Sequence, residues 1–129
     1  MGKAQYKILI VEDEKMMQEL LVTRLSKENI FQVFTANNGQ EGLYSVSINA
    51  PDLIFLDIRM PVMDGLAMMK ELKKDDRTKN IPIIFLTNFD TDERMLEEIP
   101  EGKPSFYLIK SNTSMDEVVK RVKEALHIT

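Results

Sequence analysis

Apolar residues fall into two alternating kinds of pattern along the chain. Short continuous runs occupy Ile8–Val11, Leu53–Leu56, Ile83–Leu86 and Tyr107–Ile109. Runs of this length suit strands covered on both faces, as in a parallel sheet. Phe31–Ala36 is strand-like but broken by Gln32, which suits an edge strand. Helical periodicities lie between the runs. Met17, Leu20, Leu21 and Leu25 share one helical face, Leu66, Met69 and Leu72 another, and Val118, Val122 and Leu126 a third. Asn38-Gly39 and Ala50-Pro51-Asp52 bracket one more helix, and Asp64-Gly65 opens the next. Ser114-x-x-Glu117 predicts a capping box at the start of the last helix. The weakest element is Thr91–Ile99, where Asp92, Glu93, Glu97 and Glu98 begin a helix that Pro100, Gly102 and Pro104 break. It is expected to be short, mobile or both. The order is β-α repeated about five times. Right-handed crossovers then favour a doubly wound, three-layer α/β fold with helices on both faces of a parallel sheet.

Composition narrows the chemistry. The 129 residues suit one domain. With no cysteine, a disulfide framework and thiolate zinc sites are excluded, and a single histidine, His127, excludes His-cluster metal sites. The net charge of −4 gives no broad basic face, so direct nucleic-acid binding is not expected. No apolar run approaches the roughly 20 residues of a membrane span. The N-terminal residues lack the apolar stretch of a secretory signal, so no membrane association and a cytoplasmic location are expected.

In open α/β sheets ligands bind beyond the carboxyl ends of the strands. The residues there are Glu12, Asp13 and Glu14 after the first run, Asp57 after the third, Thr87 after the fourth and Lys110 after the fifth. Each has a plain explanation taken singly, as a cap, a packing residue or a solvated charge. Four strands delivering such groups to one edge make coincidence improbable. Glu14 is the exception, read as a complement to the dipole of the following helix. Clustered carboxylates repel one another, and a hard divalent cation relieves that repulsion. Asp57 is placed to act as a nucleophile toward a phosphoryl group, with Lys110 supplying positive charge and Thr87 a hydroxyl donor.

The motifs Ile8-Leu-Ile-Val-Glu-Asp-Glu14, Leu56-Asp-Ile-Arg-Met-Pro-Val-Met-Asp-Gly65, Ile83-Ile-Phe-Leu-Thr87 and Tyr107-Leu-Ile-Lys110 resemble those of response-regulator receiver domains of two-component signalling. The resemblance runs from about Tyr6 to His127, and it implies a single receiver domain over residues 1–129, without an output domain. It implies a flavodoxin-like five-stranded parallel sheet of order 2-1-3-4-5, an order known in chemotaxis members of the family. By position it implies Asp57 as phosphoacceptor, with Thr87 and Lys110 contacting the phosphoryl group. Asp13, Asp57 and the backbone carbonyl of Arg59 would hold Mg²⁺, with Glu12 helping through water and Mn²⁺ a plausible substitute. Thr87 and Tyr107 would form the switch. Arg59 and Phe89 would shield the phosphoryl group from water and lengthen its lifetime. The partners implied are a sensor histidine kinase or histidine phosphotransfer protein as donor. An unidentified downstream protein would meet the face formed by the fourth helix, fifth strand and last helix. Such a protein signals rather than turning over a substrate.

The sequence departs from the family in places. Ser111 follows Lys110 where proline is common, which makes a cis bond there unexpected and holds the lysine less tightly. Asn88 stands where a small residue is usual. Met60 and Met63 are read as packing residues. Lys120, Arg121 and Lys123 make a basic patch on the last helix, read as a solvated face before a docking site. Two alternatives stay open: a pseudo-receiver that binds partners without phosphorylation, and a haloacid-dehalogenase-like hydrolase. The latter wants a second Asp where Arg59 stands.

Overall fold

The computed structural model describes residues 5–87, 106–111 and 113–128, with only the backbone described at positions 87, 106 and 107. The strands are β1 (Tyr6–Val11), β2 (Phe31–Ala36), β3 (Leu53–Asp57), β4 (Ile83–Thr87) and β5 (Phe106–Ile109). All their pairings are parallel, in the order β2-β1-β3-β4-β5. This is the flavodoxin-like arrangement, and the predicted edge strand is indeed at the sheet's edge. The described helices are α1 (Lys15–Ser26), α2 (Gly39–Asn49), α3 (Gly65–Lys73) and α4 (Met115–Ala125). The helix expected at Thr91–Ile99, together with Asn88, Phe89, Pro100, Gly102 and Pro104, lies outside the described residues.

Because strand side chains alternate between faces, the sheet divides the core in two. Ile8, Ile10, Leu53, Phe55, Ile84 and Leu86 face α1 and α4, where Leu21, Leu25, Val118 and Val122 meet them. Leu9, Val11, Ile54, Leu56 and Phe85 face α2 and α3, where Val46, Leu66, Met69 and Leu72 meet them. Most of these side chains are wholly buried, and each large one contributes on the order of 2 kcal/mol. Met60 and Met63 pack against the second layer, as their sequence context implied.

The face of α1 differs from its periodicity. Leu20 is 48% exposed, whereas Gln18 is buried beside Leu21 and Leu25. A helix face read from apolar residues alone misses a buried amide whose Nε2 finds acceptors at the strand ends. The Gln18 Nε2 donates to the Glu12 carbonyl at 3.0 Å and to Asn37 Oδ1 at 3.2 Å, with the Ala36 carbonyl at 3.5 Å. It thus ties the end of β1 to the end of β2.

Helix starts follow local chemistry. Asn38 caps α2 by accepting from the Glu41 N–H, and Asp64 caps α3 by accepting from the Ala67 N–H. Ser114 caps α4 through the Glu117 N–H at 3.1 Å. The return arm of the expected capping box goes elsewhere, since the Glu117 carboxylate meets Arg121 at 2.7 Å. Arg121 also pairs with Glu124, and Lys123 reaches Glu28, just past the end of α1. Acids thus neutralise two of the three cations in the basic patch, in keeping with a solvated face. Helix α2 ends with Ala50 in the left-handed region, at φ 47°, followed by Pro51. Among the described residues, no helix is long and apolar enough to cross a membrane.

Candidate functional site: an acidic cluster closed by a lysine

The carboxyl ends of β1 and β3 adjoin because those strands pair in register, Val11 opposite Leu56. Glu12, Asp13 and Asp57 therefore meet, each offering a carboxylate oxygen within 4.8 Å of the others. Glu12 and Asp57 are buried, and Asp13 is exposed at the rim. An open cleft of about 460 Å³ lies beside them, lined by Asp13, Arg59, Met60, Pro61 and Asp64. Arg59 itself is exposed.

Lys110, just past β5, closes the cluster. Its Nζ lies 2.9 Å from Glu12 Oε1, 3.2 Å from Asp57 Oδ2 and 2.9 Å from Glu14 Oε1, with the lysine side chain 7% exposed. Burial opposes its positive charge, but Glu14, Glu12 and Asp57 outweigh that and hold the ammonium above its usual range. With Ser111 after it, the lysine side chain still lies within 3.2 Å of three carboxylates. No peptide among the described residues is cis, as the serine there led us to expect.

The assignment of Glu14 is corrected by the structure. Glu14 occupies the N-cap position of α1 but its side chain makes no capping bond, and no acid lies in the first turn. The carboxylate turns to Lys110 instead, because a full cation 2.9 Å away outweighs the partial charge of a helix end. Sequence reasoning also missed Gln18; its polarity within an apolar stripe was the available signal.

The loop after β3 is shaped by close approach. The Gly65 N–H donates to the Ile58 carbonyl at 2.9 Å, and a Cβ on Gly65 would collide with the Asp57 carbonyl oxygen. Gly39 is similarly close to Met63, and its N–H donates to the Met63 carbonyl at 2.9 Å. Between Pro61 and Met63 the chain makes a γ-turn, Met63 N–H to Pro61 carbonyl at 2.8 Å, with Val62 at φ 69°.

Thr87 ends β4 one residue beyond Leu86, the register partner of Asp57, and stands opposite Ile109. Tyr107 stands opposite Phe85. Their side chains, and Phe89 altogether, lie outside the described residues.

Acids outnumber the single ammonium at this edge, and Asp57 bears the consequence. Burial first, then the neighbouring Glu12 charge, push its carboxyl up to about 8, despite Lys110. Glu12 Oε2 accepts the Glu14 N–H at 3.0 Å. Glu12 Oε1 is buried and accepts no hydrogen bond, because the Lys110 ammonium is close in distance but poorly aligned. An orphaned carboxylate oxygen beside two more acids is a hard-oxygen donor set, compatible with Mg²⁺.

Comparison with known proteins agrees with this geometry. Residues 8–123 match the family described as response regulator receiver domain. The protein-glutamate methylesterase/protein-glutamine glutaminase 1 of Carboxydothermus hydrogenoformans is 32% identical over 97% of this chain and 36% of its own length. Response regulator PleD of Caulobacter vibrioides is 33% identical over 78% of this chain and 22% of its own length. The chain thus spans little more than a third, or less, of these curated relatives. Among solved structures, the receiver domain of a Syntrophus aciditrophicus signal transduction histidine kinase superposes with a TM-score of 0.83 at 31% identity, covering 95% of this chain and 90% of that one. The receiver domain of a Pseudomonas aeruginosa sensor histidine kinase, with a magnesium ion coordinated in its active-site cleft, gives 0.84 at 25% identity, covering 96% and 99%. A parallel sheet of order 2-1-3-4-5 with three acids and a lysine at its carboxyl edge, matched by the family over most of its length, has one home: the chain belongs to the response regulator receiver domains.

Proposed function

We propose that the domain accepts a phosphoryl group on Asp57 from a sensor histidine kinase or a histidine phosphotransfer protein, and signals by phosphorylation-dependent binding of a partner protein. The observation that carries this is the buried Asp57 carboxylate 3.2 Å from Lys110 Nζ, with Glu12 and Asp13 alongside. An Asp57 oxygen attacks the phosphorus of the donor phosphohistidine. The P–N bond breaks, its electron pair stays on the imidazole nitrogen, which then takes up a proton, and an acyl phosphate forms on Asp57. Lys110 balances charge on the phosphoryl oxygens and Thr87 donates a hydroxyl hydrogen bond to them. Asp13, Asp57 and the Arg59 carbonyl would hold Mg²⁺, with Glu12 acting through water, and Mn²⁺ suits the same oxygens. When bound, the cation neutralises the acids and the incoming phosphoryl oxygens. Thr87 and Tyr107 relay the new charge to the face built from β5, α4 and the segment before β5. Arg59 and Phe89, two residues beyond Asp57 and Thr87, limit water access and set the lifetime of the signal.

The test is incubation with Mg²⁺ and acetyl phosphate followed by intact mass measurement. One added phosphoryl group, absent in Asp57→Asn, is expected. No adduct under donor excess would leave a pure interaction module, and steady turnover of varied phosphate esters would mark a hydrolase.

A further inference from the structure

We propose that Glu14 is a placeholder on Lys110, a carboxylate that occupies the lysine until a phosphoryl group on Asp57 displaces it, and so opposes loading. The inference rests on Asp57 being the phosphoacceptor. Lys110 lies within ion-pair distance of three carboxylates, Glu12 and Glu14 at 2.9 Å and Asp57 at 3.2 Å, and its aligned hydrogen bond goes to Glu14 Oε1. A phosphoryl oxygen on Asp57 therefore gains an aligned Lys110 N–H as the ammonium turns away from Glu14. The three are unequal. The Glu12 side chain is 0% exposed, and releasing it strands a buried charge, whereas Asp57 gives up its own carboxylate charge as the acyl phosphate forms. The Glu14 side chain is 60% exposed, so water replaces its partner at small cost.

Two further observations separate this role from an ordinary surface contact. The Glu14 carboxylate makes no capping bond to α1, although its residue stands at the N-cap, so the helix start does not explain the side chain's direction. Its backbone N–H donates to Glu12 Oε2 at 3.0 Å, which anchors Glu14 to the acidic cluster itself. Glu14 is thus a positioning residue. It touches neither Asp57 nor the incoming phosphorus and acts through Lys110.

The test compares loading from acetyl phosphate, with saturating Mg²⁺, in wild type, Glu14→Gln, Lys110→Gln and the double variant, followed by intact mass. In this reaction Asp57 attacks phosphorus, the P–O bond to acetate breaks, and acetate leaves with the electron pair. Glu14→Gln keeps the shape and removes the charge. It is expected to load about threefold to fivefold faster than wild type. On the Lys110→Gln background the same exchange is expected to change the rate by less than about twofold. Loss of the phosphoryl group from loaded Glu14→Gln should match wild type within about twofold, because Lys110 has already left Glu14 in that state. Unchanged loading in Glu14→Gln overturns the inference. So does equal acceleration with and without Lys110, which marks simple repulsion of an anionic donor. If wild type itself takes no phosphoryl group, the acceptor reading fails and the placeholder falls with it. Loading in wild type with no effect of Glu14→Gln sinks the placeholder alone.

Discussion

The α-carbon of Gly65 stands so close to the carbonyl oxygen of Asp57 that no β-carbon fits between them. The contact joins the first residue of α3 to the last residue of β3, and it sets the path of the loop that lines the cleft. Glycine is required here by close approach rather than by φ, since the described glycines have no positive φ. Gly65→Ala must push the Asp57 backbone aside, and overpacking of this kind costs about 1–3 kcal/mol. Urea denaturation is expected to show that loss, and loading of Asp57 from acetyl phosphate is expected to slow. An alanine variant with wild-type stability and loading would mean that the loop yields without moving Asp57.

Val62 offers the opposite case. It is a β-branched residue at φ 69°, inside a γ-turn, and it is 75% exposed. Its conformation is costly, and its side chain buries little to compensate. Val62→Asn, a residue tolerant of left-handed backbone, should raise stability by about 1 kcal/mol, read as a higher urea midpoint at unchanged slope. A lower midpoint would show that the valine side chain supports the loop.

Gln18 holds the ends of β1 and β2 together from within the core. Gln18→Met keeps the length of the side chain and removes its donors. The buried Glu12 carbonyl then loses its partner, at a cost of about 2 kcal/mol. The same change frees the segment that carries Glu12 and Asp13, so the Mg²⁺ concentration giving half-maximal loading should rise. A stability loss with an unchanged Mg²⁺ requirement would confine Gln18 to packing.

Much of this was legible in the sequence, and the exceptions have physical causes. Continuous apolar runs located four of the strands, because residues covered on both faces leave no polar gaps, and the polar break at Gln32 placed the fifth at the edge. Asp57, Asp13, Glu12 and Lys110 were found as the residues just past the ends of those runs, and the sheet brings all four together. The direction of the Glu14 side chain was not legible. Its two competing attractions, a helix start nearby in sequence and a lysine 96 residues away, differ only in three-dimensional distance. Leu20 was placed on the core face and Gln18 was missed for a related reason. Periodicity ranks residues by polarity, whereas burial of an amide depends on acceptors supplied by β1 and β2.

The Asp57 carboxyl also gives a pH dependence. In the folded protein without divalent cations, burial and Glu12 raise it to about 8, while an unfolded Asp titrates near 4. Between those values the native state holds a proton that the unfolded chain has released. Unfolding there releases a proton, so stability falls as pH rises. The stabilising share is complete below about pH 4 and is lost as pH climbs to about 8. Glu28 and Asp75, whose carboxyls are held below their usual range by Lys123 and Arg77 respectively, lose their contributions only at the acid end, outside this window. Urea midpoints measured in chelator from about pH 5 to about pH 8 should therefore decline in wild type. In Asp57→Asn the decline should be largely absent, because the amide does not titrate. Saturating Mg²⁺ should flatten the wild-type curve as well, since a cation among these oxygens favours the ionised carboxylate. Parallel declines in wild type and Asp57→Asn would assign the pH dependence to groups other than Asp57.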